Sequence, residues 1–95
     1  MVVGSMRLQL LLEGIRSLKE KRMVIRSLIE RQRSAGGISI AEVEDHDLWG
    51  NSTIGVACVG SDVATVESVL ARVEAAFADA GTVSVVSVER EVERW

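Results

Sequence analysis

Between Val2 and Leu12 the chain alternates residue by residue, with Met6, Leu8, Leu10 and Leu12 on one side and Arg7, Gln9 and Leu11 on the other. A period of two is the signature of a strand with one buried face. Such a strand is stable only inside a sheet whose apolar face something else covers. The covering elements are legible too. "SLKE" places Ser17 as a helix cap with Glu20 three residues on, a capping box that satisfies otherwise orphaned N–H groups. The helix it opens is expected to run to Ala35, where Gly36-Gly37 supplies a left-handed stop. Ile38 to Glu44 and Thr53 to Val59, with Ile54, Val56 and Cys58 aligned, read as two further strands joined by Asp45 to Ser52.

Ser61 or Asp62 caps a second helix, in which Val63, Val66, Leu70, Val73 and Phe77 recur at helical spacing while Glu67 and Glu74 point away. Gly81 is its expected end. Thr82 to Trp95 is a fourth strand, and the apolar phase slips between Val85 and Val86, so a bulge is expected there. The order βαββαβ, in a chain without proline, is the split βαβ arrangement of the ferredoxin-like fold, an α+β class. The expected sheet is four-stranded and antiparallel, in spatial order 4-1-3-2, with two helices on one face.

Ninety-five residues, 47% of them hydrophobic, suffice for one core, so one domain over residues 1–95 is expected. The single cysteine, Cys58, has no partner for an internal disulfide, which fits a reducing cytoplasm. Val2 to Leu12 carries Arg7 and Gln9, lacks a basic leader and is too short to span a bilayer, so no membrane role is expected.

Charge is segregated along the chain. Arg16 to Arg33 holds seven basic residues against Glu20 and Glu30, a net +5; the other four basic and twelve acidic residues carry −8, leaving −3 overall. Projection at about 100° per residue puts Leu18, Val24, Ile25, Leu28 and Ile29 on an inward arc and gathers Lys19, Arg22, Arg26 and Arg33 on one flank. Such a row suits the phosphates of a polyanion, although a solvated helix face also carries charge. Arg22 and Arg26 repel each other at one-turn spacing, and Arg26 with Glu30 is the pair expected to offset this. Lys21 projects into the apolar arc, where its ammonium must snorkel out or meet a carboxylate; the Glu42 to Asp47 segment can supply one.

That segment, "EVEDHDLWG", surrounds the only histidine with four carboxylates. Regular alternation sends Glu42, Glu44 and His46 to one face and Asp45 and Asp47 to the other, which splits any ligand set. No second histidine or cysteine completes a site, so no catalytic residue, metal or cofactor is expected. Trp49 either lids one end of the core, the favoured reading, or stands exposed as a partner contact with His46 and Asp47 beside it. Trp95 is expected against a neighbouring surface or second subunit. The sheet's open face carries Arg7 and Gln9 but no aromatic on its middle strands, so base stacking is not expected.

"MVVG" at the start, "RSLKEKR" at Arg16 to Arg22, "SIAEVEDHDLW" at Ser39 to Trp49 and "GVACV" at Gly55 resemble the YlxP-like family of small bacterial proteins, end to end. The resemblance implies a ferredoxin-like fold with no assigned reaction, and genes lying beside those of translation factors imply a translation-related role. "LLEG" at Leu11 to Gly14 lacks the family's proline, and Gly36-Gly37 replaces a bulkier turn. Two readings of function follow. One is a non-enzymatic accessory factor, with no small-molecule substrate, whose first helix meets ribosomal RNA or a ribosomal subunit. The other is a homodimer through a strand edge that meets an acidic protein.

Overall fold

The computed structural model describes all of residues 1–95, and its elements follow the order read from the periodicities: β1 (Val2–Leu11), α1 (Leu18–Ala35), β2 (Ser39–Glu44), β3 (Asn51–Gly60), α2 (Val63–Ala78) and β4 (Ser84–Arg94). All pairings are antiparallel, in the order β2-β3-β1-β4. β3 and β1, ten residues each, sit in the middle. β1, whose alternation is cleanest, is paired on both sides, and β2 and β4 are the edges.

One face of the sheet is covered and the other is open. Val2, Met6, Leu8 and Leu10 of β1 join Ile54, Val56 and Cys58 of β3 under Ile25, Leu28 and Ile29 of α1 and Val66, Leu70, Val73 and Phe77 of α2, all buried. Leu18 and Val24, placed on the same arc by spacing, are only half-buried at its rim. Gly4 lies in the middle of this face because α2 comes closest there. A Cβ at Gly4 would fall inside van der Waals contact of Val66 Cγ1 and stand 3.1 Å from Leu70 Cδ1.

The caps behave as the residue types require. Ser17 Oγ accepts the Glu20 N–H at 3.1 Å, and Glu20 reaches back to the Arg16 N–H at 3.2 Å, one residue beyond the usual capping-box partner. Gly36 and Gly37 both adopt positive φ, which ends α1 without strain, and Arg72 of α2 donates to the Gly36 carbonyl at 3.1 Å. Asp62, not Ser61, caps α2; the Thr65 N–H and hydroxyl hold its carboxyl below the usual aspartate range. α2 stops at Ala78, three residues before the positive-φ Gly81. Glu74, expected to point away, bends to the β4 side and accepts from Arg90 at 2.6 Å.

The phase slip at Val85-Val86 is a bulge: Gln9 faces Ser87 but Leu10 faces Val85, so Val86 is the extra residue. A second register shift, between Glu42 and Glu44, was not anticipated. There Val43 is the extra residue. No helix is long and apolar enough to cross a membrane.

Candidate polyanion surface and the buried lysine behind it

Lys21 is fully buried, at 0% exposure, on the fourth residue of α1. Its Nζ stands 3.1 Å from Glu42 Oε2 and donates to the Asp45 carbonyl. Ser52 Oγ donates to the same Glu42 oxygen at 2.5 Å, and Thr53 Oγ1 donates to Asp45 Oδ2 at 2.8 Å. Sequence reasoning anticipated the carboxylate partner. The two buried hydroxyls escaped it, although a Ser-Thr pair at the start of a strand facing an acidic turn is a readable signal.

The Val43 bulge overturns the face assignment that regular alternation gave. Glu42 sits opposite Ile54 on the helix-covered face, whereas Glu44 sits opposite Thr53 and meets Arg7 at 3.7 Å on the open face. His46 turns back to the strand, its Nε2 3.1 Å from the Glu42 carbonyl, to which it donates. No three acidic, histidine or cysteine side chains are grouped as metal ligands would be. Burial pushes the Cys58 thiol up, so it behaves as a small apolar group.

Asp45 takes a positive φ of 66°, and its carbonyl also accepts the Leu48 N–H at 3.1 Å, while the Gly50 carbonyl accepts the Leu12 N–H at 2.9 Å. The turn is thus pinned at both ends. It presents rather than buries its apolar residues: Trp49 is 52% exposed and Leu48 is exposed beside it, which corrects the expectation of a lid. The core closes without the indole because seventeen buried side chains already fill it. Trp49→Ser is expected to change the urea-unfolding free energy by less than about 1 kcal/mol, and Trp95→Phe alone, which leaves Trp49 as the one tryptophan, is expected to emit at a solvent-exposed wavelength. Trp95 is 77% exposed.

The flank of α1 is more distinctive. Lys19, Arg22 and Arg26 are exposed, and of the seven basic residues from Arg16 to Arg33 only Lys21 has a carboxylate within 4.0 Å. The expected Arg26 to Glu30 ion pair is not formed. Arg22, Arg26 and Arg33 line a groove of about 350 Å³ between α1 and β2, together with Ile25, Ile29 and Ala41 and the carboxylates Glu30 and Glu42. From Lys19 to Arg33 the row spans about 21 Å, at 1.5 Å per residue. Arg33 differs from the others, because its guanidinium donates to the Ile40 carbonyl at 2.9 Å.

That bond defines how the β2 edge is protected. Ile40 and Glu42 point their carbonyls away from β3, and Arg33 and His46 cap them. The β4 edge is guarded by charge. Two-fold antiparallel pairing always sets residues of one face opposite that same face, so Glu89, Glu91 and Glu93 would oppose one another. Arg33→Ala combined with His46→Ala is expected to leave stability within about 1 kcal/mol but to produce concentration-dependent association in analytical ultracentrifugation, absent from the parent.

The fold and site together define a small α+β protein of ferredoxin-like arrangement whose distinctive chemistry lies on a surface, not in a cavity. The chain belongs to the family described as protein of unknown function (DUF503), which it matches over residues 3–90. It is 31% identical over 93 residues to the uncharacterized protein YlxP of Bacillus subtilis (strain 168), covering 98% of this chain and 96% of that one. Among solved structures it is similar to the de novo designed protein Foldit4, with a TM-score of 0.54, 16% identity and coverage of 99% and 97% of the two chains. That likeness is one of fold alone.

Proposed function

We propose that the chain is a non-enzymatic accessory factor that binds the phosphates of a structured RNA, on a ribosomal subunit or its RNA, through Lys19, Arg22 and Arg26 of α1, with Arg33 at the end of the row. The observation that carries this reading is the absence of any carboxylate within 4.0 Å of these four cations. A solvated helix face ordinarily offsets such repulsion with pairs one turn apart. Arginine forks spaced along a helix suit successive phosphate oxygens, and contacts of this kind carry little sequence information. The translation-related role implied for the family points the same way. The rival reading, a dimer through a strand edge, has to overcome the capped β2 carbonyls and the β4 carboxylates.

The test is co-sedimentation with ribosomal subunits and direct binding to ribosomal RNA across a salt series. With about four phosphates neutralised, the logarithm of the affinity should fall against that of salt concentration with a slope near about −3. Arg22→Glu/Arg26→Glu should abolish binding while leaving unfolding unchanged, and Arg33→Ala should weaken it less than Arg26→Ala, because Arg33 is already tied to Ile40. No binding by folded wild type at low salt sinks the proposal.

A further inference from the structure

The face of the sheet that no helix covers is built as a trough. Register sets Ser39, Ala57, Ser5 and Glu91 in one row across the four strands, and Ala41, Gly55, Arg7 and Glu89 in the next. Over β2, β3 and β1 the first row has no side chain larger than serine. The second has none larger than alanine until Arg7. The depression holds about 860 Å³. Val43, displaced by its bulge, leans over Gly55, where a Cβ would stand 2.9 Å from Val43 Cγ1, and forms the wall on the β2 side. The β4 side is walled by carboxylates.

Glu89, Glu91 and Glu93 share this face, and none has a cation within 4.0 Å. Arg7, the cation of the second row, is engaged by Glu44 at 3.7 Å. Three unpaired like charges at every second residue of a strand repel one another, and a cationic ligand relieves that repulsion. Their repeat is about 6.7 Å along the strand, close to the roughly 6 Å between residues four apart on a helix. A small-residue floor admits a helix backbone closely, as an apolar stripe laid on a sheet requires.

We propose that this open face docks a basic amphipathic helix of a partner protein, its alanine-rich stripe on Ser5, Ala41, Gly55 and Ala57 and its lysines or arginines, one turn apart, on Glu89, Glu91 and Glu93. The surface lies across the sheet from α1 and operates independently of the RNA reading. Together the two surfaces would let one small protein bridge RNA and a basic protein segment.

The probe is a synthetic helical peptide with an alanine stripe flanked by lysines at four-residue spacing, titrated into the ¹⁵N-labelled full chain. Amide shifts confined to Ser5, Gly55, Ala57 and β4 are expected. Glu89→Lys/Glu91→Lys should weaken binding at least about tenfold, and Ala57→Phe, which fills the trough without altering charge, should do the same. Arg22→Glu/Arg26→Glu should leave peptide affinity unchanged while removing RNA binding, so failure of one reading is separable from failure of the other. The proposal is overturned by absence of shifts at millimolar peptide, by shifts on α1 or the Leu48-Trp49 turn instead, or by concentration-dependent broadening of the trough amides without peptide, which would make a second copy the occupant.

Discussion

Lys21→Ala is expected to destabilise the protein by about 3–5 kcal/mol in urea unfolding, the largest single-residue effect on the α1 side of the molecule. The ammonium lies at 0% exposure and holds both the Glu42 carboxylate and the Asp45 carbonyl. Its removal strands a carboxylate beneath α1 with one hydroxyl for company, and it frees the turn that Asp45 fixes. Isolating the pair from the packing of its alkyl stem requires a cycle. Lys21→Met keeps most of that stem, so it should cost less than the alanine change yet still leave Glu42 uncompensated. Lys21→Met/Glu42→Leu should recover most of the loss, because a buried ion pair replaced whole by apolar groups is often close to neutral. A double variant as unstable as the sum of its singles would show that the pair is not energetically coupled. Amide exchange gives a second readout: Leu48 should lose protection in Lys21→Met, since its N–H bonds to the same Asp45 carbonyl.

Gly4→Ala is expected to cost about 1–3 kcal/mol although alanine suits a strand better than glycine does. The added methyl has no room, with Val66 Cγ1 inside contact distance and Cys58 Sγ at 3.3 Å. Relief can come only from α2 moving outward or from Val66 becoming smaller. Val66→Ala alone opens a cavity and should cost about 2–3 kcal/mol. The double variant should be more stable than the sum of the two losses by at least about 1 kcal/mol, because each change supplies what the other lacks. Strict additivity would mean that the helix shifts rather than the side chain.

How far the sequence carries these results differs from element to element, and for physical reasons. β1, the Ser17 and Gly36 boundaries and the Val86 bulge are written locally, in alternation, caps and a break of phase, so they were legible. Lys21 was legible as a misplaced charge on an apolar arc, and its partner followed from what that charge requires. The Val43 bulge left no trace, because Glu42-Val43-Glu44 alternates without interruption. What decides it is remote: Lys21 and Ser52 draw Glu42 under α1 while Arg7 draws Glu44 to the other face. Arg33 likewise reads as one more cation of a stripe until the fold brings the Ile40 carbonyl to it. The position of Trp49 depends on whether the core has room, a question of total volume that no local pattern answers.

The separation of charge between α1 and the open sheet face gives the molecule a basic side and an acidic side. Seen from afar, a chain of net −3 is repelled by another polyanion. At an ionic strength of about 0.01 M, where the screening length of roughly 30 Å approaches the 43 Å long dimension of the chain, that repulsion is what any approaching polyanion would meet first. Near 0.1 M the screening length shrinks to about 10 Å, less than the 18 Å short dimension, and each face is felt separately. Physiological salt therefore hides the overall sign of the protein and, under the proposed function, would leave a torque that turns α1 toward phosphate before any side chain touches it.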